Sequence, residues 1–368
     1  MQKLLFIALL LIVRLPAKSQ DMSFDQIPSD NPLQTAHDSA LHQLVKSFFS
    51  TTKAPGLVVG LSQQGKTRYY SYGYADPATK KMFDSTTIFE IGSITKTFTA
   101  NLLMQLDEKH ILNIHDPVTR YIPESSNDSA LKKIILADIA SQSSGLPRLP
   151  AGFDKTEGYS FMQPYEKYTR DYLYPFLGTL TSITPGQYAY SNLGFGLLST
   201  IMENVTRTPY AGLLDSCIFR PLGMISSYVE PTQAHQDTAT GFFNGKPAPY
   251  WRFNCLAGAG AVKSNAVDIL KYLEAHISPE GTAMANTIRR VTTPVLPAGP
   301  GMHICYAWHT LDNLKHRAYW HNGGTYGFST FAAFEPATKT AIVLAANSYG
   351  VNSGLDELAV RLLILLTD

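Results

Sequence analysis

The run Phe89-Glu90-Ile91-Gly92-Ser93-Ile94-Thr95-Lys96 decides how the rest of the chain is read. A serine hydroxyl is a weak nucleophile at neutral pH and needs a base within reach. Residues three apart lie on one face of a helix, so a helix starting here carries the Lys96 amine to the Ser93 hydroxyl. The helix is legible. Phe98, Leu102, Leu103 and Leu106 recur at helical spacing, and no Pro or Gly interrupts Ser93 to Ile111. Gly92 and Ser93 stand at its start, where backbone N–H groups have no partner inside the helix. The Ser93 N–H can therefore face an oxyanion. Ser-x-x-Lys alone is a weak signal, because it recurs at Ser50/Lys53 and Ser129/Lys132, where it fits a polar pair on a solvated face. The setting separates Ser93 from those pairs: an apolar strand-like lead-in (Ile88 to Ile91), a glycine, then an apolar-faced helix.

Working outward, the lead-in continues a pattern of strands. Ala36 to Phe49 reads as an amphipathic helix behind a loose polar leader at 20 to 34. Leu57 to Ser62 and Thr67 to Tyr74 read as a hairpin with Gly65 in the turn. After the Ser93 helix the pattern is mainly helical: Leu131 to Ser141, Asn192 to Val205, Tyr210 to Phe219 and Ala266 to His276. Residues 148 to 187, rich in Tyr, Pro and Gly, read as a long loop region, and such a stretch in a compact domain is often functional. Strand patterns return at Ile304 to Thr310, Arg317 to His321, Phe328 to Phe334 and Thr340 to Ala346, before a terminal helix at Leu355 to Leu366. The fold class is thus α+β, of the α/β sandwich type. One antiparallel sheet is built from both chain ends, flanked by the N- and C-terminal helices, with a mainly helical region inserted. The expected division is 35–88 and 295–368 for the sheet-containing region and 89–294 for the helical one. A site between the two is expected, since ligands favour such grooves.

Composition bounds the function. The chain has 368 residues, 45% hydrophobic and 16% charged, with a net charge of +1. Near-neutrality argues against a nucleic-acid partner. Residues 1–19 read as a signal peptide: Lys3, an apolar run from Leu4 to Val13, and small residues in Ala17-Lys18-Ser19. The run is too short for an ordinary membrane span, and no Cys lies near the cleavage point. A periplasmic or secreted protein without a stable membrane anchor is expected. Cys217, Cys255 and Cys305 are odd in number, so at least one is unpaired within the chain, and none has metal-ligand spacing. No metal or cofactor is implied. The ten His show no His-Glu-x-x-His arrangement, and no Gly-x-Ser-x-Gly occurs.

Two further motifs carry chemistry. Tyr190-Ser191-Asn192 opens a helix after Thr184-Pro185-Gly186-Gln187. A tyrosine close to Lys96 has its phenolate favoured by the positive charge and can relay the serine proton to a leaving group. Asn192 offers an amide donor and acceptor for a substrate amide. An Asn helix cap beside a packed Tyr fits the same residues. His321-Asn322-Gly323-Gly324 ends a strand, and its glycines let a substrate approach the backbone closely. His321 can donate to a substrate carboxylate or tune Tyr190; a glycine turn with a rim histidine is the plainer alternative.

Phe89 to Lys96 resembles the active-site signature of class C serine β-lactamases and related penicillin-binding proteins, with Thr95 where Ser or Ala is more usual. Tyr190-Ser191-Asn192 resembles the family's Tyr-x-Asn. Pro185 to Leu198, Phe219-Arg220-Pro221-Leu222-Gly223-Met224 and Ala257-Gly258-Ala259-Gly260 resemble accompanying segments. His321-Asn322-Gly323 matches the His-x-Gly form of the third motif. The resemblance implies an acyl-enzyme mechanism. Ser93 attacks a carbonyl, Lys96 and Tyr190 handle its proton, the N–H groups of Ser93 and Gly324 hold the oxyanion, and Asn192 orients the acyl amide. Asn347 is a further candidate for carboxylate contact. The implied partner is a small molecule: a β-lactam first, otherwise an acyl-D-Ala peptide or an ester. Class C β-lactamases usually carry Lys-Thr-Gly as the third motif, and this chain has none. His-x-Gly is more typical of D-alanyl-D-alanine peptidases and esterases of that superfamily. A catalytically silent binding module is the remaining alternative.

Overall fold

In a computed structural model, which describes residues 24–122, 130–230 and 237–367, the first and last strands of the chain lie side by side. The signal peptide expected at 1–19 falls outside the described residues. Helix α1 (Ala36–Thr51) precedes strands β1 (Gly56–Gln63), β2 (Lys66–Asp76), β3 (Lys81–Met82) and β4 (Phe89–Glu90). Helices α2 (Thr95–Glu108), α3 (Leu136–Ala140), α4 (Arg170–Gly178), α5 (Asn192–Thr206) and α6 (Tyr210–Leu214) follow. Short strands β5 (Gly241–Phe243), β6 (Lys246–Ala248) and β7 (Lys263–Ser264) come next, then helices α7 (Ala266–Ile277) and α8 (Ala285–Val291). Strands β8 (Leu296–Gly299), β9 (Met302–Ile304), β10 (His309–Leu311), β11 (Ala318–Gly324), β12 (Ser329–Glu335) and β13 (Thr340–Ala346) lead to helix α9 (Asn352–Thr367).

The main sheet is antiparallel throughout, in the order β3-β2-β1-β13-β12-β11-β10-β9-β8. Leu57 of β1 faces Ala346 of β13, which joins the two ends of the chain. Strands β12 and β13 are buried along their whole length, because helices cover both faces of the sheet. Side-chain alternation then decides which face each residue serves. Leu57, Val59, Leu61, Ile342 and Leu344 pack with Leu41 and Val45 of α1 and Leu355 and Leu362 of α9. Val58, Val343, Ala345 and Phe334 face the other way, towards Ile269 and Leu273 of α7 and the inserted helices. Helix α2 runs through that second core, buried on every side from Thr95 to Leu106. A helix hidden all round belongs to a core or a membrane, and no described helix is long and apolar enough to cross a membrane.

Several elements differ from the sequence reading. Residues 24–34 are docked rather than loose: Gly73 donates to the Pro28 carbonyl at 2.8 Å, and Asn31 donates to the Tyr72 hydroxyl at 2.7 Å. The expected helix Leu131 to Ser141 is split into a 3-10 turn, Leu131–Lys133, and α3. The β-branched pair Ile134-Ile135 between them is extended and bridges to Pro117. The single strand expected at Ile304 to Thr310 is two, β9 and β10, turning back at Ala307 with φ +69°. The stretch expected as one helix from Tyr210 to Phe219 changes to a π-helical turn at Asp215–Phe219. The 148–187 region contains α4, which has Pro175 inside it. All three cysteines are free; Cys255 and Cys305 are buried.

Candidate active site

Strand β4 pairs with β7, Glu90 opposite Lys263, and delivers the chain to Gly92. Gly92 has φ +51°, and a Cβ there would stand 2.6 Å from the Gly324 nitrogen. A Cβ on Gly323 would stand 2.0 Å from the Ile91 carbonyl oxygen and 2.4 Å from Thr330 Oγ1. Only glycines allow two backbones this close. The approach brings the Gly324 N–H beside the Ser93 turn, and Thr330 Oγ1 ties the two together by donating to the Ile91 carbonyl at 3.0 Å. Ser93 sits in a 3-10 turn, Gly92–Ile94, with α2 starting at Thr95. The Ser93 N–H is therefore among the first donors of a helical segment, which lack partners within it.

Lys96 is fully buried, and its Nζ donates to Ser93 Oγ at 3.0 Å and to the Ala259 carbonyl at 2.6 Å. Burial first, then the charge of Arg148, pushes the amine well below the ordinary lysine range. Thr95, the departure from the usual signature, serves a structural end: its hydroxyl accepts from the Val262 N–H at 3.1 Å.

Tyr190 precedes α5. Lys96 Nζ lies 4.8 Å from its ring centroid and the Arg148 guanidinium carbon 4.9 Å. Burial pushes the phenol up, while a hydrogen bond with Ser93 and the charge of Arg148 act in the opposite sense. The expectation that Lys96 favours the phenolate is corrected: burial prevails, and the opposing charge is Arg148. The loop carrying Arg148 is fastened to the same motif. Ser191 Oγ donates to the Pro147 carbonyl at 2.7 Å, and the Asn192 and Leu193 N–H groups donate to the Arg148 carbonyl at 3.0 and 3.2 Å. Asn192 Nδ2 donates to the Tyr165 hydroxyl at 3.2 Å, and its Oδ1 is buried without a partner.

His321 is buried, and its Nδ1 lies 2.5 Å from the Asn322 carbonyl oxygen. A carbonyl only accepts, so Nδ1 carries the proton and Nε2 presents a lone pair; that atom is buried and unpartnered. Burial, then His309, then Lys96 push the imidazole well below its ordinary value. His321 is thus a neutral acceptor at this edge, and donation to a substrate carboxylate does not fit its tautomer. Asn347 is corrected as well. It is fully buried, and its amide donates to the carbonyls of Tyr74, Ala75 and Thr240, away from the cleft. Asn352 faces the cleft instead, donating to the Gly323 carbonyl at 2.7 Å.

Two hollows meet at Ser93. The larger, about 430 Å³, is lined by Tyr188, Tyr190, His309, His321, Gly323 and Asn352 among others. The smaller, about 100 Å³, is lined by Asn192 and the aromatic Tyr165, Trp251 and Phe253. Ser93, Arg148 and Gly324 belong to both. Ser93, Lys96, Tyr190, Asn192, His321, Gly323 and Gly324 are thus brought together, and Asn347 is not.

Sequence reasoning missed Arg148, Asn352, His309 and the buried pair Glu90 and Lys263. Glu90 accepts from the Trp251 N–H at 2.5 Å and the Thr325 hydroxyl at 2.7 Å. Lys263 donates to the carbonyls of Val229 and Trp251 at 3.0 and 2.9 Å. A Glu inside an apolar strand and a Lys after Ala261-Val262 were the available signals.

A serine beside a buried amine, with backbone N–H groups in the same cleft on this sheet, is an arrangement that suits a hydrolase. The sequence profile of the Beta-lactamase family matches residues 40–366, and the chain belongs to that family. It is 27% identical to a beta-lactamase of Providencia stuartii over 83% of this chain and 85% of that one. It is 26% identical to the D-alanyl-D-alanine-carboxypeptidase/endopeptidase AmpH of Escherichia coli K12, over 67% of this chain and 63% of that one. The fold matches the crystal structure of a beta-lactamase/D-alanine carboxypeptidase from Pseudomonas syringae with a TM-score of 0.79. That match has 22% identity and covers 89% of this chain and 99% of the other.

Proposed function

We propose that this hydrolase is a secreted or periplasmic serine enzyme that opens β-lactam amides through an acyl-enzyme on Ser93. One observation carries the reading: a fully buried amine, pushed towards its neutral form, 3.0 Å from a serine oxygen at the mouth of two hollows. A neutral Lys96 accepts the Ser93 proton as Oγ bonds to the carbonyl carbon. The carbonyl oxygen takes the negative charge and receives the N–H groups of Ser93 and Gly324. When the C–N bond breaks, the Tyr190 phenol, which burial keeps protonated, is placed to pass a proton to the leaving nitrogen and recover one from Lys96. Asn192 holds the acyl amide in the smaller hollow. A water then attacks the ester and restores Ser93. The pattern at residues 1–19 supports export.

A second reading has its own observation. The neutral His321, in place of a permanently charged lysine, favours a D-Ala-D-Ala peptidase or a carboxylic-ester hydrolase over a β-lactamase. The test is turnover of a chromogenic cephalosporin, a short acyl ester and an acyl-D-Ala-D-Ala peptide, with mass spectrometry after a penicillin. Expected are a penicilloyl adduct on Ser93 and cephalosporin turnover that disappears in Ser93→Ala. A folded protein with no adduct and turnover only of ester or peptide transfers the assignment to the second reading. Turnover unchanged in Ser93→Ala removes both.

A further inference from the structure

We propose that Arg148 is the specificity-determining anchor for a carboxylate on the leaving-group side of the substrate, the part that the third motif does not play in this chain. The inference rests on the acyl-enzyme reading of Ser93 and names the charge of its substrate. His321 cannot serve, since its proton is committed to the Asn322 carbonyl and its free nitrogen is a lone pair. His309 is buried, and its Nε2 already meets the Tyr188 hydroxyl at 2.9 Å. Arg148 is the cation that lines both hollows around Ser93. Among the described residues, no acidic side chain lines either hollow and Arg148 makes no ion pair. Its guanidinium carbon lies 4.9 Å from the Tyr190 ring centroid, its backbone carbonyl accepts from the first N–H groups of α5, and the side chain is exposed to an incoming ligand. A planar guanidinium with spare donors next to the reacting atoms matches a carboxylate in two-point fashion.

Arg148 also lowers the Lys96 amine, so turnover alone would mix two effects. Binding to Ser93→Ala separates them. The probes are an N-acylglycyl thioglycolate ending in a free carboxylate and its carboxamide analogue, titrated by calorimetry. The carboxylate is expected to bind about tenfold or more tightly than the carboxamide. That ratio should fall to within about twofold in Ser93→Ala/Arg148→Met and survive in part in Ser93→Ala/Arg148→Lys, with the loss falling mainly on the carboxylate probe. A parent with no preference, or a preference intact in Arg148→Met, overturns the assignment. Equal loss for both probes, in Arg148→Lys as well, makes Arg148 structural and overturns it too. The two readings fail separately. An Arg148-dependent preference without Ser93-dependent turnover sinks the acyl-enzyme, and Ser93-dependent turnover with an Arg148-independent preference sinks the anchor alone.

Discussion

Gly323→Ala tests the packing that positions the Gly324 N–H, the oxyanion donor of the proposed mechanism. The new Cβ would lie 2.0 Å from the Ile91 carbonyl and 2.4 Å from Thr330 Oγ1, where ordinary contact begins at 3.4 Å. The Ile91 turn and β11 must separate by about 1 Å or more, since neither obstacle is the far end of a flexible side chain. Gly324 follows in the same strand, so its N–H leaves the place that the proposed acyl-enzyme assigns to the oxyanion. Losing one such donor costs about 10²–10³ in kcat, and a misplacement near 1 Å costs about 10². Overpacking should cost about 1–3 kcal/mol of stability. Gly324→Ala is the control, because its Cβ meets only Asn352 Oδ1, at 3.3 Å. The assay is the acylation rate with the best substrate of the panel, with urea unfolding alongside. A kcat for Gly323→Ala about 10²-fold down, against a few-fold for Gly324→Ala, is expected. A Gly323→Ala enzyme within about threefold of the parent would refute the close-packed account of Gly324.

Two further outcomes are expected. Glu90→Gln should lower unfolding stability by about 1–2 kcal/mol, because the Trp251 N–H and the Thr325 hydroxyl lose a charged acceptor and buried Lys263 loses one of the carboxylates acting on it; Glu90→Gln/Lys263→Met should cost less than the two single losses summed, and a single variant within about 0.5 kcal/mol of the parent contradicts the coupling. Burial lowers His276 and His309 each to about 4 from 6.5, so their stability contribution is whole above pH 6.5 and is lost as pH falls through about 4. Each is worth about 3 kcal/mol over that window. His276→Asn, which keeps a donor for the Tyr272 carbonyl, should make urea midpoints fall less steeply between pH 6.5 and 4; an unchanged slope rejects the assignment.

The fold was legible where periodicity is long and local. Leu57 to Ser62 and Thr340 to Ala346 each read as an apolar strand, and two such runs at opposite ends of one chain leave few ways to hide both faces without pairing them. Ser93 and Lys96 were legible because a helix fixes their spacing. Tyr190 and Gly323 were legible only as ordered motifs, since nothing local says that β11 meets the Ile91 turn. Arg148 left no local signal at all. Its neighbours Pro147 and Leu149 look like any loop, and its importance comes from a backbone bonded across to Asn192 and Leu193. The tautomer of His321 was likewise invisible, because it is set by the carbonyl of the next residue.

The confusion of Asn347 with Asn352 has the same root. Both follow the last strand, and a sequence assigns each an amide without a direction. At position 347 the chain still lies in the core, where the carbonyls of Tyr74, Ala75 and Thr240 converge on the Asn347 amide, Ala75 also taking the Thr240 N–H at 2.8 Å. Five residues later it has turned into α9, and the Asn352 amide meets Gly323 at the edge of the cleft. What separates a structural amide from a candidate binding amide here is which backbone groups other segments bring against it. That property belongs to the assembled fold, and Asn352→Ala against Asn347→Ala would split accordingly, the first in KM and the second in stability.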